Sequence, residues 1–306
     1  MTPTPKQVSD ISYKYINMKI LVTGCHGQLG NSLRLELEND SEIEAMYTDY
    51  DTLDITDREA VGRCLSDNKF DFVVNCAAYT AVDRAETDDL KASALNTGAV
   101  GNLGEAAAKN GTKVIHISTD YVFSGQGCRP YDEKDEPYPQ GIYGRTKLEG
   151  EGLLSSFCQD AMIIRTAWLY SQFGKNYVKT MLQLADTRDR LTVVCDQIGT
   201  PTFAGDLAKA IHTILRHDRW VPGIYHFTDE GVASWYDFSK AIFELAGKDI
   251  EVAPIPTSEY PTPAKRPFYS VLSKSKIKKT FGIEIPYWRD SLKRCLELLK
   301  EEEKNN

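Results

Sequence analysis

Short apolar runs rich in β-branched residues alternate with longer stretches of helical periodicity from Met18 onward. This alternation constrains the fold more than any other feature of the chain. The strand-like runs, such as KILVTG and FDFVVNCAA, are apolar throughout rather than at every second position. A strand of that kind is buried on both faces, as in a parallel sheet covered by helices on either side. The sequence therefore predicts an α/β fold with a doubly wound parallel sheet of the Rossmann type.

The second half of the chain predicts a smaller substrate-binding lobe that is discontinuous in sequence. Its segments are shorter and richer in loops and proline, as in APIPTSEYPTPAKRPF. The polar N-terminal segment has neither strand nor helix periodicity and is expected to be a disordered extension. The predicted boundaries are 18–172 with 199–230 for the dinucleotide-binding domain, 173–198 and 231–306 mainly for the lobe, and 1–17 for the extension.

Net charge, hydropathy and cysteine spacing exclude several classes of protein. The formal net charge is −8 and the basic residues are dispersed, so no nucleic-acid or membrane-surface partner is predicted. No apolar run approaches the ~20 residues of a membrane span, and the first segment lacks the apolar centre of a signal peptide. The seven cysteines are widely spaced without a C-x-x-C pair. We therefore expect a cytoplasmic protein with reduced thiols and neither a disulfide framework nor a zinc site.

A glycine-rich turn follows the first predicted strand. Gly24, Gly27 and Gly30 stand in G-x-x-G-x-x-G spacing between that strand and a helix. Glycines there let backbone N–H groups approach a pyrophosphate, and the helix N-terminus adds a favourable dipole. Asp49 ends the second strand, where an acid accepts hydrogen bonds from an adenosine ribose and disfavours a 2′-phosphate, whereas His26 could donate to such a phosphate. The sequence predicts NADH or NADPH as cofactor and leaves the choice open.

Three polar side chains stand in an order that suits carbonyl reduction. Thr119 ends the strand of STDYVF, and Tyr143 and Lys147 lie four residues apart in a predicted helix, so they share one face. The ordinary pKa of tyrosine, ~10, is high for proton exchange at neutral pH, and we expect the nearby ammonium to lower it. The threonine hydroxyl can donate to a carbonyl oxygen that gains negative charge. The pattern predicts a reductase in which Tyr143 is the general acid.

Several motifs resemble those of the extended short-chain dehydrogenase/reductase family. The resemblance rests on the glycine turn, NCAA, STDYVF and the Y-x-x-x-K spacing. More narrowly, the chain is similar to the dTDP-4-dehydrorhamnose reductases of that family. This likeness implies NAD(P)H-dependent reduction of the 4-keto group of a nucleotide sugar, dTDP-4-dehydro-L-rhamnose, to dTDP-L-rhamnose. The stretches that narrow it are AAYTAVDRAE (77–86), YGRTKLEGE (143–151), RTAWLY (165–170), DQIGTPT (196–202), GIYHFTD (223–229), WYDFSKAI (235–242) and RPFYSVLSKSKI (266–277).

The resemblance also implies roles for individual positions. Lys147 would anchor the nicotinamide ribose beside the catalytic Tyr143 and Thr119, and Asn96 resembles an asparagine that ties one strand to its neighbour. The sugar-side groups that it implies are Thr119, Asp120, Tyr121 and Trp168. The cofactor-binding set, from spacing and resemblance together, is Gly24, Gly27, Gln28, Leu29, Gly30, Asp49, Asp54, Ile55, Ala78, Tyr79, Thr80, Tyr143 and Lys147.

Two alternative functions stay open at this stage. The first is a nucleotide-sugar epimerase or dehydratase, although dehydratases usually carry Asp-Glu after the strand-end threonine and this chain carries Asp120-Tyr121. The second is a non-catalytic regulatory subunit resembling the partner of methionine adenosyltransferase. Such a subunit would lack the sugar-side groups that are present here. A requirement for Mg²⁺ is also left open. The acidic loop YDEKDEPYP has no ligand spacing that demands an ion, so no metal-ligating residue is predicted. A homodimer is possible, and the sequence does not decide the oligomeric state.

Overall fold

The structure is a computed structural model that describes residues 18–305, so the predicted extension at 1–17 lies outside the described residues. Strands and helices alternate through the first half of the chain, as the apolar runs predict. The strands are β1 Met18–Thr23, β2 Ile43–Thr48, β3 Phe72–Asn75, β4 Lys113–Thr119, β5 Met162–Thr166, β6 Leu169–Tyr170, β7 Arg190–Val194, β8 Ile198–Gly199, β9 Thr202–Phe203, β10 Gly223–His226, β11 Ala233–Ser234 and β12 Glu251–Ile255.

The helices connect these strands and cover the sheet. They are α1 Gln28–Leu37, α2 Arg58–Asn68, α3 Val82–Ala85, α4 Asp89–Ser93, α5 Ala99–Asn110, α6 Ile142–Phe157, α7 Tyr177–Ala185, α8 Ala204–Leu215, α9 Trp235–Ala246, α10 Ser275–Phe281 and α11 Trp288–Asn305, with a π-helical turn at Ala94–Gly98 and 3₁₀ turns at Asp120–Val122 and Thr257–Glu259. Within the described part of the chain, no helix is both long and apolar enough to cross a membrane.

Six strands form one parallel sheet in the order β2-β1-β3-β4-β5-β10. The chain winds outward in one direction from β1 to β2 and in the other from β3 onward. The crevice between the carboxyl ends of β1 and β3 is therefore a topological switch point, where ligands bind in open α/β sheets. The predicted doubly wound parallel fold is confirmed.

Helices pack on both faces of the sheet, which explains why its strands are apolar throughout. On one face α1, α8 and α10 contribute Leu33, Ile211 and Phe281 to a single buried cluster. On the other face α2 and α5 contribute Leu65 and Leu103 to a second cluster. Burying apolar area on both sides holds the strand ends, and the loops that follow them, in fixed positions.

A further hydrophobic cluster lies beside the sheet, where β7 pairs in parallel with β12 and α7, α9 and α11 pack together. Phe238 and Leu292 are among its fully buried members. Within the range predicted as mainly lobe, Ile277 of α10 instead packs in the cluster of the main sheet. The division of the chain into two domains stays a prediction.

Candidate active site

A cleft of about 780 Å³ opens over the carboxyl ends of β1, β3, β4 and β5. That volume is typical of a cofactor or ligand site. The glycine turn lines this cleft, and so do Trp168 and Trp235. Of the residues predicted for the site, all but Tyr79 are among those that line it. The phenol of Tyr79 instead donates a hydrogen bond of 3.3 Å to Asp88.

The glycine turn packs closely against the end of β3. Gly24 has a φ of +67°, and a Cβ built on it would lie 2.6 Å from the backbone nitrogen of Ala77, so this position requires glycine. Beside the turn, the carboxylate of Asp49 accepts hydrogen bonds from the backbone N–H groups of His26 and Tyr50, at 2.9 and 2.8 Å. This acid is therefore fixed at the edge of the cleft, where free lone pairs of its oxygens can accept from a ribose hydroxyl.

Helix α6 is positioned by two close contacts at its start. Its first backbone N–H, from Ile142, donates to the carboxylate of Glu86 at 2.9 Å, an anion that suits a helix N-terminus. A Cβ on Gly144 would lie only 2.2 Å from the carbonyl oxygen of Tyr121. Glycine there lets α6 pack directly on the turn after β4. The rings of Tyr143 and Tyr121 consequently meet edge to face, with 5.5 Å between centroids.

Asn96 ties α6 to the loop that follows β3. It lies in the π-helical turn, fully buried, which excludes a surface role. Its Oδ1 accepts from the backbone N–H of Tyr79 at 2.9 Å, and its Nδ2 donates to the Tyr79 carbonyl and to Thr146 Oγ1, both at 3.2 Å. Irregular turns of this type are frequent at functional sites. Asn96 therefore connects the loop after β3 to α6, rather than one strand to its neighbour.

Burial controls the titration of Tyr143 and Lys147. It raises the pKa of the Tyr143 phenol well above the usual value, with a hydrogen bond to Thr119 opposing the rise. The predicted lowering of this pKa by Lys147 is wrong, because burial outweighs other influences and Lys147 Nζ instead donates to the Ile117 carbonyl, 2.6 Å away. Burial lowers the pKa of the Lys147 amine to about 8, while Glu151 opposes that change. A phenol with a raised pKa stays protonated at neutral pH, as a general acid requires.

Comparison with known proteins identifies the family to which this site belongs. The profile of the RmlD substrate binding domain matches residues 18–301. The chain belongs to the RmlD substrate binding domain family. A dTDP-4-dehydrorhamnose reductase from Sinorhizobium fredii is 43% identical over 91% of this chain and 97% of the relative. The resemblance to extended short-chain dehydrogenases/reductases, and to this narrower group, is confirmed.

Solved structures in the RmlD family share the whole fold. A dTDP-4-dehydrorhamnose reductase from Clostridium acetobutylicum has a TM-score of 0.89 and 44% identity, covering 92% of this chain and all of its own. The reductase from Bacillus anthracis, solved in complex with NADP, has a TM-score of 0.89 and 35% identity, covering 92% and 99%. The RmlD-family fold therefore extends over nearly all the described residues.

Asp120 directly follows Thr119 and is one of the acids that line the cleft. Thr119 Oγ1 donates to its Oδ1 at 3.0 Å, while no described residue hydrogen-bonds its buried Oδ2. Burial raises the pKa of Asp120 to about 6, and contacts with Ser270 and Thr119 oppose the rise. Ser270 belongs to RPFYSVLSKSKI, one of the stretches that carry the family resemblance. A buried acceptor without a partner is suited to a ligand hydroxyl.

Sequence reasoning missed the aromatic partner of Trp168. The two indoles of Trp168 and Trp235 stack at 3.6 Å between centroids and 8° between planes. Trp168 has a φ of 47°, an uncommon backbone conformation for a non-glycine residue and one that is concentrated at functional sites. Trp235 begins the motif WYDFSKAI, so the family resemblance contained the signal. Lys175 and Asn176 also line the cleft and were not predicted.

The described residues bring together one group of side chains with metal-ligating atoms, Cys25, His26 and Asp49. Cys25 and His26 belong to the glycine turn, Asp49 follows β2, and of the three His26 and Asp49 line the cleft. In the acidic loop left open for Mg²⁺, Asp135 is paired with Arg129 through two hydrogen bonds of 2.8 and 2.7 Å. That carboxylate is thus already neutralised by a side chain of the same loop.

Proposed function

We propose that this protein reduces the 4-keto group of dTDP-4-dehydro-L-rhamnose to give dTDP-L-rhamnose, with NADH or NADPH as the reductant. The observation that carries the proposal is the convergence of Thr119, Tyr143 and Lys147 on one cleft at the switch point of the sheet. The names of the most similar relatives supply the substrate class. An epimerase or a regulatory subunit is less well supported, because the relatives of high identity reported above are reductases.

The glycine turn and the β3 end fit a dinucleotide. The turn needs glycine at Gly24 for its close approach to Ala77, and Asp49 stands at the adenosine end of the cleft. Once bound, the reduced nicotinamide supplies a hydride to the keto carbon. Asp49 opposes a 2′-phosphate, yet the Bacillus anthracis relative was solved with NADP. Both cofactors therefore belong in the test.

The side chains of the chain itself supply the proton and stabilise charge. Tyr143 donates its phenolic proton to the 4-keto oxygen, and its raised pKa keeps that proton in place until negative charge develops. Thr119, whose hydroxyl donates to Asp120 in the ligand-free protein, turns to donate to the same oxygen. Lys147 binds the nicotinamide ribose. Asp120 accepts a hydrogen bond from a sugar hydroxyl through its unused Oδ2.

The test is consumption of NADH or NADPH by the full chain when 4-keto-rhamnose nucleotide is generated in the same vessel. We expect loss of reduced-cofactor absorbance only in the presence of that sugar, and formation of dTDP-L-rhamnose, identified by mass spectrometry and NMR. UDP-glucose and the unepimerised 4-keto-6-deoxyglucose nucleotide are the matched controls. Isomerisation of a nucleotide sugar without net cofactor oxidation indicates an epimerase. No turnover with either cofactor overturns the proposal.

A further inference from the structure

A chain of hydrogen bonds runs through the sheet beneath the cleft and ends at Lys147. Thr23 Oγ1 on β1 donates to Asn75 Oδ1 on β3 at 2.7 Å. Asn75 Nδ2 lies 3.0 Å from His116 Nδ1 on β4, and His116 Nε2 lies 3.2 Å from Lys147 Nζ on α6. All four side chains are at most 1% exposed, and only Lys147 is among the residues proposed for catalysis. Buried polar groups of this kind are matched donor to acceptor.

The backbone fixes the direction of this chain. The N–H of Ala77, which can only donate, lies 3.1 Å from Asn75 Oδ1. The carbonyl oxygen of the Asn75 amide must therefore face Ala77 and Thr23, and its NH₂ group must face His116. Since an NH₂ group donates, His116 Nδ1 is an acceptor and carries no hydrogen. A neutral His116 ring then carries its hydrogen on Nε2, and a cationic ring is excluded.

The hydrogen on Nε2 points at Lys147. An ammonium there would set two donors against each other, whereas a neutral amine can accept from Nε2 through its lone pair. The amine would still donate to the Ile117 carbonyl at 2.6 Å, so both contacts are satisfied. Burial also disfavours the ammonium.

Among the charged and titratable groups around Lys147, Glu151 favours the ammonium, but its carboxylate is already paired. Glu151, one turn further along α6, accepts hydrogen bonds from two of the three guanidinium nitrogens of its buried partner Arg165, at 2.9 and 2.6 Å. Tyr143, one turn earlier, has a raised pKa and stays neutral. Beyond β3, burial keeps the Cys76 thiol protonated by raising its pKa. His116 on β4 is the remaining titratable neighbour, and burial lowers its pKa well below the usual value.

The geometry points to His116 as a positioning residue that holds Lys147 beneath the cofactor site and, with its tautomer fixed by Asn75, destabilises the Lys147 ammonium relative to the neutral amine. This inference deepens the proposed function and, in its kinetic part, rests on it. Binding of an anionic dinucleotide and formation of the Tyr143 phenolate both favour the ammonium, so they oppose the effect of His116 on Lys147. His116 thereby lowers the pH at which Lys147 loses its proton.

The tautomer can be read without any assay of activity. Nitrogen NMR of the ligand-free full chain, with ¹⁵N-labelled histidine, should show one ring with hydrogen on Nε2 and a bare Nδ1 that does not titrate while the protein stays folded. The signal is assigned to His116 by its loss in His116→Gln. A hydrogen on Nδ1, or a cationic ring at neutral pH, overturns the inference, whatever the reaction that the protein catalyses.

The second test is the pH dependence of kcat/KM for 4-keto-rhamnose nucleotide. His116→Phe removes the donor to Lys147, so the Lys147 ammonium should lose its proton at a higher pH. The alkaline limb, the fall of kcat/KM at high pH, should therefore move up by about one pH unit, the size expected for one lost hydrogen bond. His116→Gln keeps an acceptor toward Asn75 and a donor toward Lys147, and it should keep the wild-type limb. His226→Phe, in another buried histidine of the same sheet, is the matched structural control and should also leave the limb in place.

The outcomes separate the two proposals. The role of His116 is overturned if the alkaline limb of His116→Phe stays at the wild-type pH or moves to lower pH. It is also overturned if His116→Gln shifts the limb as far as His116→Phe does. Absence of turnover in the unmodified protein counts against the proposed function alone, because the NMR result still decides the tautomer. If His116→Phe does not fold, the NMR measurement on the unmodified chain decides the question.

Discussion

Beneath Tyr143 and Lys147 the cleft rests on buried hydrogen bonds that cross neighbouring strands, whereas on the lobe side it is bounded by stacked aromatic rings. Trp235 stacks on Trp168 and also contacts Tyr177, with 4.5 Å between ring centroids. Hydrogen bonds are directional and fix one arrangement of donors, but stacked rings accept ligands of different outline. The side of the cleft that rests on the sheet is therefore specified more strictly than the side formed by the stacked indoles.

The largest effect is expected from Tyr143→Phe, on the sheet side of the cleft. The change removes the proton donor and keeps the ring, so turnover should fall by about 10²- to 10⁴-fold while NAD(P)H binding persists. Steady-state kinetics and fluorescence titration of the reduced cofactor measure the two quantities. Tyr47→Phe removes a buried phenol outside the cleft and is the matched control. Near-normal turnover in Tyr143→Phe would remove this residue from the mechanism.

Glu151→Gln should have the next largest effect, on stability. The Glu151–Arg165 pair is almost fully buried, with side chains 4% and 2% exposed, and joins α6 to β5. Removing one charge leaves the other buried without compensation, which costs about 3–5 kcal/mol in the free energy of unfolding. Denaturant unfolding measures this loss. Glu251→Gln, in an exposed pair with Arg190, should leave stability near wild type; equal losses in the two variants would contradict the assignment.

Asp120→Asn should stabilise the protein at alkaline pH. In the unfolded chain this carboxyl loses its proton near pH ~4, but burial raises its pKa in the folded protein to about 6. Stability is therefore lost as pH rises between those two values and stays lower above pH 6. The variant should gain about 1–3 kcal/mol at pH ~8 and almost nothing at pH ~4. Calorimetry at both pH values measures the difference, and an equal gain at both would contradict it.

Trp235→Ala should have the smallest of these effects, confined to the lobe side. Losing the stacked partner frees Trp168, so KM for the sugar nucleotide should rise by a few-fold to about tenfold. NAD(P)H affinity should not change, because the cofactor lies toward the glycine turn. Trp220→Ala, at a ring that packs on Phe72, is the control. A weaker cofactor affinity in Trp235→Ala alone would mean that the two sides of the cleft are not independent.

The sequence predicted the parallel sheet and most residues that line the cleft near the glycine turn. Both follow from local patterns, namely apolar strands and the spacing of residues in the loops after them. It did not predict the direction of the Tyr143 pKa shift, since burial depends on how α6 packs against the β4 turn. Asn75 and His116 were visible as polar residues within apolar strands, and a buried polar residue implies a partner. Their pairing required the strand order. The stacking of Trp168 on Trp235 required the fold of the lobe, which no local pattern specifies.

Helix α6 fixes the spacing of three side chains at the candidate active site. Tyr143, Lys147 and Glu151 are spaced four residues apart, so the proposed proton donor, the amine and the ion-pair partner of β5 lie along one stripe of the helix. Inserting or deleting one residue between them would rotate part of the stripe by about 100°. Length changes in the preceding loop leave that spacing intact. Variants of this protein can therefore differ in the length of the preceding loop, but they must keep the number of residues between these three positions.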